Sequence, residues 1–412
     1  MVSVNSALGT PTISPTSATY DAGQTITLTA SATGGTTPYS YQWYNDTTGT
    51  GVAISGATSS TYSATAGSTA GTFKYYVKVT DSAYSPETAT SATESYIVNT
   101  ALSGGSPTPT TPTIDDGQSI TLTANPSGGT TPYSYQWYSG TSSTCTSDTA
   151  ISGATSSTYT ASPTSSTYYC YKVTDSATTP TSAYSGTDKV NVNSALGTPT
   201  VSPSAATYDA GQSITLTASA SGGTTPYSYQ WYNDTSGTPS AISGATSSTY
   251  TATAGSGAGT FKYYVKVTDS AYSPASATSA TESYVINTAL SGGSPTPSAP
   301  TIDDGQSITL TANPSGGTTP YSYQWYGGTS STCSSDTAIS GATSSTYTAS
   351  PTTPTYYCYE ATDSATTPTS ALSSTDKVSV NSALGTPSIS PTTATIDDGQ
   401  SVAFTSTWSG GG

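Results

Sequence analysis

The 412-residue chain is poor in charge, with 7% charged and 33% apolar residues, and carries a formal net charge of −15. It has no histidine, and its seven basic residues are all scattered lysines; this excludes nucleic-acid binding, which needs clustered Lys and Arg to displace counterions, and attachment to anionic membranes. No apolar run approaches the ~20 residues of a membrane span, so no membrane insertion is expected in this segment, while 33 tyrosines supply core material that a disordered chain lacks.

The stretch GGTTPYSYQWY occurs four times, and its tryptophans, Trp43, Trp137, Trp231 and Trp325, are spaced 94 positions apart. A fixed period of that length marks an array of separately folded modules. The expected division is residues 1–4 as the remnant of a preceding module's last strand, then modules 5–98, 99–192, 193–286 and 287–380. Residues 381–412 form an incomplete fifth with its first two strands. The N-terminal MVSVNSALG lacks the basic and apolar regions of a secretion signal and reads as a cut edge, because VSVNSALG recurs at 378–385.

Within the first module, the Pro- and Thr-rich opening GTPTISPTSATYDAG suits a short edge strand. Asp21–Ala22–Gly23 then turns the chain into a strand in which Ile26, Leu28 and Ala30 alternate with threonines, the period of a half-buried strand. Gly34, Gly35 and Pro38 make a loop. Tyr39, Tyr41 and Trp43 then share the inward face of the central strand, each ring expected to bury on the order of 150–250 Å². Ile54 and Tyr62 face inward on two short strands. Phe73, Tyr75, Val77 and Val79 alternate with Lys74, Tyr76, Lys78 and Thr80 on a long strand, and Tyr96 and Val98 close the core. About seven short strands with frequent turns and no helical periodicity predict an all-β array of immunoglobulin-like β-sandwiches.

Cys145, Cys170, Cys333 and Cys358 fall only in the even modules, 25 positions apart within each pair. That spacing predicts one disulfide per even module and an oxidising, extracellular or cell-surface location. Two cysteines and no histidine cannot complete a tetrahedral zinc shell. Cys170 alternates with inward residues, so it is expected to face outward and clamp the loop that carries Cys145. In the odd modules that loop carries Asn45-Asp-Thr and Asn233-Asp-Thr, candidate N-glycosylation sites.

The histidine-free chain offers little for catalysis. The adjacent acids Asp115–Asp116, Asp303–Asp304 and Asp397–Asp398 lie in IDDGQS turns, where neighbouring side chains diverge, so they read as turn residues and not as a glycosidase pair. No cofactor is expected. Calcium at the module junctions, held by Asp81, Asp175, Asp269 and Asp363 with the turn acids, is the one metal reading, set against simple strand-end capping. Outward Tyr44 and Tyr76 could stack on sugars or neighbouring chains, against the plainer role of tyrosine as a strand former.

The segments GGTTPYSYQW, AISGATSSTYT, FKYYVKVTD and TYYCYKVTD resemble prokaryotic immunoglobulin-like and polycystic-kidney-disease-like surface domains, and the first and last are similar to repeats of large gliding and adhesion proteins of bacteria. The resemblance implies a sandwich fold. It departs from immunoglobulin practice in that the second strand carries no cysteine for a disulfide across the core. The reading that follows is a non-enzymatic structural region of a secreted prokaryotic surface protein. It would form the shaft of a filament, surface layer or adhesin stalk, with self-association or neighbouring modules as partners. Glycan-binding adhesin modules, or the accessory region of a secreted hydrolase, are the alternatives.

Overall fold

The computed structural model describes residues 3–411, so the proposed 1–4 remnant lies partly outside the described residues. Among them there are no α-helices, and strands and turns account for the architecture.

In the first repeat nine strands run β1 (Thr12–Ser14), β2 (Ser17–Asp21), β3 (Thr25–Ser31), β4 (Ser40–Asn45), β5 (Val52–Ala53), β6 (Thr61–Thr65), β7 (Gly71–Thr80), β8 (Thr88–Thr90) and β9 (Glu94–Asn99). One sheet has the order β1-β3-β6, and the other β2-β9-β7-β4-β5 with β8 on β7. The opening segment is therefore two strands and not one. Pro15 has no N–H to continue a ladder, and across it the chain leaves β3, which β1 pairs antiparallel, and joins the second sheet, where β2 pairs parallel to β9. Tyr96 on β9 holds that crossing with a 2.7 Å hydrogen bond from its hydroxyl to the Pro15 carbonyl.

The core lies between the sheets. Ile26, Leu28 and Ala30 come from β3, Trp43 from β4, Tyr75, Val77 and Val79 from β7, and Tyr96 and Val98 from β9. Trp43 is fully buried, whereas Tyr39 and Tyr41 are only partly covered, so the central strand anchors the core with one aromatic and not three. The AISGATSS segment wraps this strand. The Trp43 indole N–H donates to Ser59 O, its backbone N–H to Ala57 O, and Gln42 Nε2 to Ile54 O. Those bonds explain why the tryptophan strand and AISGATSS recur together.

The second repeat has β10 (Thr113–Asp115), β11 (Ile120–Thr123), β12 (Ser134–Gly140), β13 (Thr149–Ala150), β14 (Thr158–Ala161), β15 (Thr167–Thr174), β16 (Ser182–Tyr184) and β17 (Asp188–Asn193). Its larger sheet, β10-β17-β15-β12-β13 with β16 on β15, matches the first repeat. Its smaller sheet keeps only β11-β14, because the Pro-rich edge around Pro107–Pro112 is reduced to single bridges, Ser103↔Ser127 and Thr108↔Thr123. The core changes by exchange. Where the first repeat buries Val77 and Tyr96, the second buries Tyr171 and Val190, so the large ring moves from the last strand to the long one.

The chain divides into two compact units, residues 1–196 with 222–225 and 270–275, and residues 197–221, 226–269 and 276–412. The second unit repeats the plan. Trp231 and Trp325 are buried at the centres of its two cores, and after Asn381 it holds one antiparallel pair, Ser388–Ser390 with Thr405–Thr407. Ile389, Phe404 and Trp408 around that pair are exposed.

Candidate functional site at the repeat junction

The Asp-x-Gly-Gln turn that closes β2 has a second role beyond the turn. Within it the Gln24 N–H donates to Asp21 O and the Asp21 N–H to Gln24 Oε1, 3.0 and 2.9 Å, and Gly23 supplies the left-handed conformation at φ +86°. The turn is thereby rigid on its own. It then meets the second repeat in the same unit: Gln24 Nε2 donates to Thr179 O at 2.6 Å, and β2 exchanges a bond pair with residue 178, Thr178 N to Thr19 O at 2.8 Å and Thr19 N to Thr178 Oγ1 at 3.0 Å.

At the centre of this contact Asp21 faces Asp175, and both are buried. Thr130 Oγ1 donates to Asp21 Oδ1 at 3.0 Å, and itself accepts from Asn99 Nδ2. Thr181 Oγ1 lies between the two carboxyl groups, 3.2 Å from Asp21 Oδ2 and 2.8 Å from Asp175 Oδ2. Asp175 Oδ1 accepts the backbone N–H groups of Thr181 and Ala177 at 2.8 and 3.4 Å. Gly129 of the repeated Gly-Gly sits against this carboxylate at φ +65°; a Cβ there would stand 2.9 Å from Asp175 Oδ2.

The second unit carries the same constellation. Thr318 donates to Asp209 at 3.1 Å, and Thr369 lies 3.2 Å from Asp209 and 2.8 Å from Asp363. Gln212 donates to Thr367 O, and Thr366 N to Thr207 O.

Two carboxyl groups in one buried hydrogen-bonded site cannot both ionise freely. Burial, and then a hydrogen bond with Asp175, push the Asp21 carboxyl up to about 6, and Asp209 is raised to about 6 in the same way by burial and Asp363. For Asp175, burial acts upward, but the bonds from Asp21 and from Thr181 and Ala177 outweigh it and hold the group below the ordinary carboxylate range.

Of the other acids, Asp81, Asp269 and Asp363 are buried at strand ends like Asp175. Asp115 is buried while Asp116 beside it is exposed, the divergence expected of neighbouring turn residues. Among the described residues no group of three or more His, Cys, Asp and Glu side chains converges as a metal cluster. The acid pairs bring two carboxyl groups each, with threonine hydroxyls already donating to them.

Cys145 is bonded to Cys170 and Cys333 to Cys358, with Cα atoms 5.8 Å apart. Cys170 lies on the outer side of the sheet, yet it is not exposed. The 3-10 turn Cys145–Ser147 closes over it, and its exposure is 0%. A residue on the outward face of a strand is thus buried by the loop it tethers. The outward tyrosines are likewise not free: Tyr44 stacks on Tyr76 with centroids 4.7 Å apart, and Lys78 Nζ lies 5.0 Å over the Tyr44 ring. Asn45 and Asn233 end their tryptophan strands at the surface, with Oδ1 accepting from Thr47 and Thr235 N–H, both at 2.9 Å.

Four segments of the chain, 25–48, 116–142, 213–236 and 304–330, match the SprB repeat family. Each includes the tryptophan strand. A search of the curated proteins returns no match. Among solved structures, the N-terminal eight Ig domains of Down Syndrome Cell Adhesion Molecule are 17% identical, with 98% of this chain and 60% of that chain covered at a TM-score of 0.26. The ICAM-5 D1–D4 ectodomain fragment is 13% identical over 91% of this chain and 100% of that one at a TM-score of 0.36. Domains 3–5 of Drosophila OTK are 15% identical over 66% and 93% at 0.29. The four matched segments, about a quarter of the chain together, make its repeats similar to SprB repeats and lend no specific support to the polycystic-kidney-disease-like variant.

Proposed function

We propose that the chain is a non-catalytic structural spacer of a bacterial surface protein, forming part of the shaft of a filament, surface layer or adhesin stalk. The observation that supports this most is the junction. Thr19, Asp21 and Gln24 of one repeat bond backbone and side-chain groups of the next, including Thr130, Thr178, Thr179 and Thr181. A tether needs only a linker between beads, whereas a shaft needs its beads docked. The limits 5–98, 99–192, 193–286 and 287–380 are proposed as the beads, with 381–412 opening a fifth. Asn45 and Asn233 are proposed as glycan carriers on the outer surface.

Electron microscopy of native material tests the reading. A regular polymer or lattice containing this chain is expected, and dispersed single chains would overturn it. Glycan-binding modules are less well supported, because the tyrosines that such a site would use stack on one another. Glycan-array binding that is lost with Tyr44→Ala and Tyr232→Ala would reverse that preference.

A further inference from the structure

We propose that each of these junctions is a proton-operated lock. One proton shared between the carboxyl groups of Asp21 and Asp175, and one between Asp209 and Asp363, holds the two repeats of a unit docked, and its release to solvent loosens them.

The hydrogen bonds leave room for one proton. Asp175 Oδ1 is occupied by two backbone N–H groups, and Asp21 Oδ1 by the Thr130 hydroxyl. Asp21 Oδ2 and Asp175 Oδ2 remain, facing a single shared hydroxyl, that of Thr181, which has one hydrogen for two acceptors. With a proton between the carboxyls, both oxygens are satisfied. Without it, two buried anions face each other across one donor, and separation of the repeats relieves the repulsion and rehydrates both groups.

No nearby charge substitutes for the proton. The segments packed around the first pair, 22–24, 99–100, 128–131 and 176–181, contain no charged residue, and the same holds for 210–212, 287–288, 316–319 and 364–369 around the second. Tyr20 and Tyr208, next to the raised aspartates, are pushed up by burial and stay neutral.

The direction of the pH response follows from linkage. Asp21 is raised in the docked state, so docking takes up a proton, and its contribution is fully present below the ordinary carboxylate value and lost as pH rises through about 6. Asp175 is lowered, so its contribution is present above the ordinary value and lost as pH falls through its docked value. Docking is strongest in the mildly acidic window between them.

Hydrogen exchange on the full chain tests this. The Thr19, Thr178, Thr207 and Thr366 amides, which bridge the repeats, are followed from pH 4.5 to 7.5 after correction for intrinsic exchange, with core amides of the Trp43 and Trp231 strands as references. Junction protection is expected to fall by about tenfold or more through pH 6, because an equilibrium linked to the release of one proton changes roughly tenfold for each step of one in pH, while core protection holds. Asp21→Asn with Asp209→Asn keeps a neutral, hydrogen-bonding side chain at each pair and should abolish the fall; Asp175→Asn with Asp363→Asn removes the partner carboxylate but not the burial, and should shrink the fall and move it to lower pH. A flat wild-type curve, or variants that retain the wild-type fall, would overturn the lock. So would restoration of neutral-pH protection by millimolar calcium or magnesium, which would make the pair a cation site. None of these outcomes touches the surface-spacer reading, whose own test is the native assembly.

Discussion

In the first repeat Tyr44 and Tyr76 stack face to face on the outer side of the larger sheet, with a lysine over the Tyr44 ring. In the second, the position of Tyr76 is taken by Cys170, whose bond to Cys145 pulls a 3-10 turn down over the sheet. Beneath these outer layers the tryptophan, its wrapping segment and the order of the larger sheet are common to both. The inner face is thus set by close packing, which tolerates only compensated exchange such as Val77 and Tyr96 for Tyr171 and Val190. The outer face is set by whatever loop follows β4 or β12. At the junction inside each unit, the first repeat supplies the turn, and the second supplies the two threonines and the second acid.

Four experiments probe this contrast. Trp43→Ala and Trp137→Ala strike the shared core, and each should cost about 3–5 kcal/mol. Denaturant unfolding should show equal losses in odd and even repeats, and a loss confined to one kind would mean the cores are not equivalent. Reduction of the disulfides should separate them, with about 3 kcal/mol lost from the even repeats on the chain-entropy model for a closed loop of 25 residues. Exchange measured with and without reductant should show the odd repeats unmoved. Val77→Tyr alone should overpack the first core by about 1–3 kcal/mol, and adding Tyr96→Val should recover at least half of that if the two positions trade volume. Thermal melts of the two single variants and the double variant complete that cycle. The smallest effect belongs to Tyr44→Ala, about 0.5–1.5 kcal/mol for the lost ring pair, with a similar loss expected in melts of Tyr138→Ala, whose ring meets Tyr184 edge-on at 5.8 Å.

Much of one repeat could be read from its residues. Alternation in Ile26, Leu28 and Ala30, and in Tyr75, Val77 and Val79, reports directly on which side chains the sheets bury, because a strand has a period of two. The cysteine spacing was informative for the same local reason. Local reading failed where coverage comes from elsewhere: Tyr39 and Tyr41 share a face with Trp43 but lie nearer the end of the sandwich, and Cys170 points out yet is covered by its own loop. It failed too at the opening strand, where alternation does not reveal a change of sheet at Pro15.

The sequence by itself determined the 94-residue period, the all-β sandwich, the pairing of cysteines within even repeats and the turn formed by Asp21, Gly23 and Gln24. These depend on interactions inside one repeat, between groups whose spacing along the chain is small or regular. Only the tertiary structure decided that Asp21 and Asp175 meet. They stand 154 positions apart, and each has a sufficient local explanation, one as a turn residue and one as a strand-end cap. Their meeting depends on how one sandwich docks on the next, and no periodicity within a repeat encodes that. The same burial that brings them together withdraws water from both, and so turns two ordinary aspartates into one site that holds a proton.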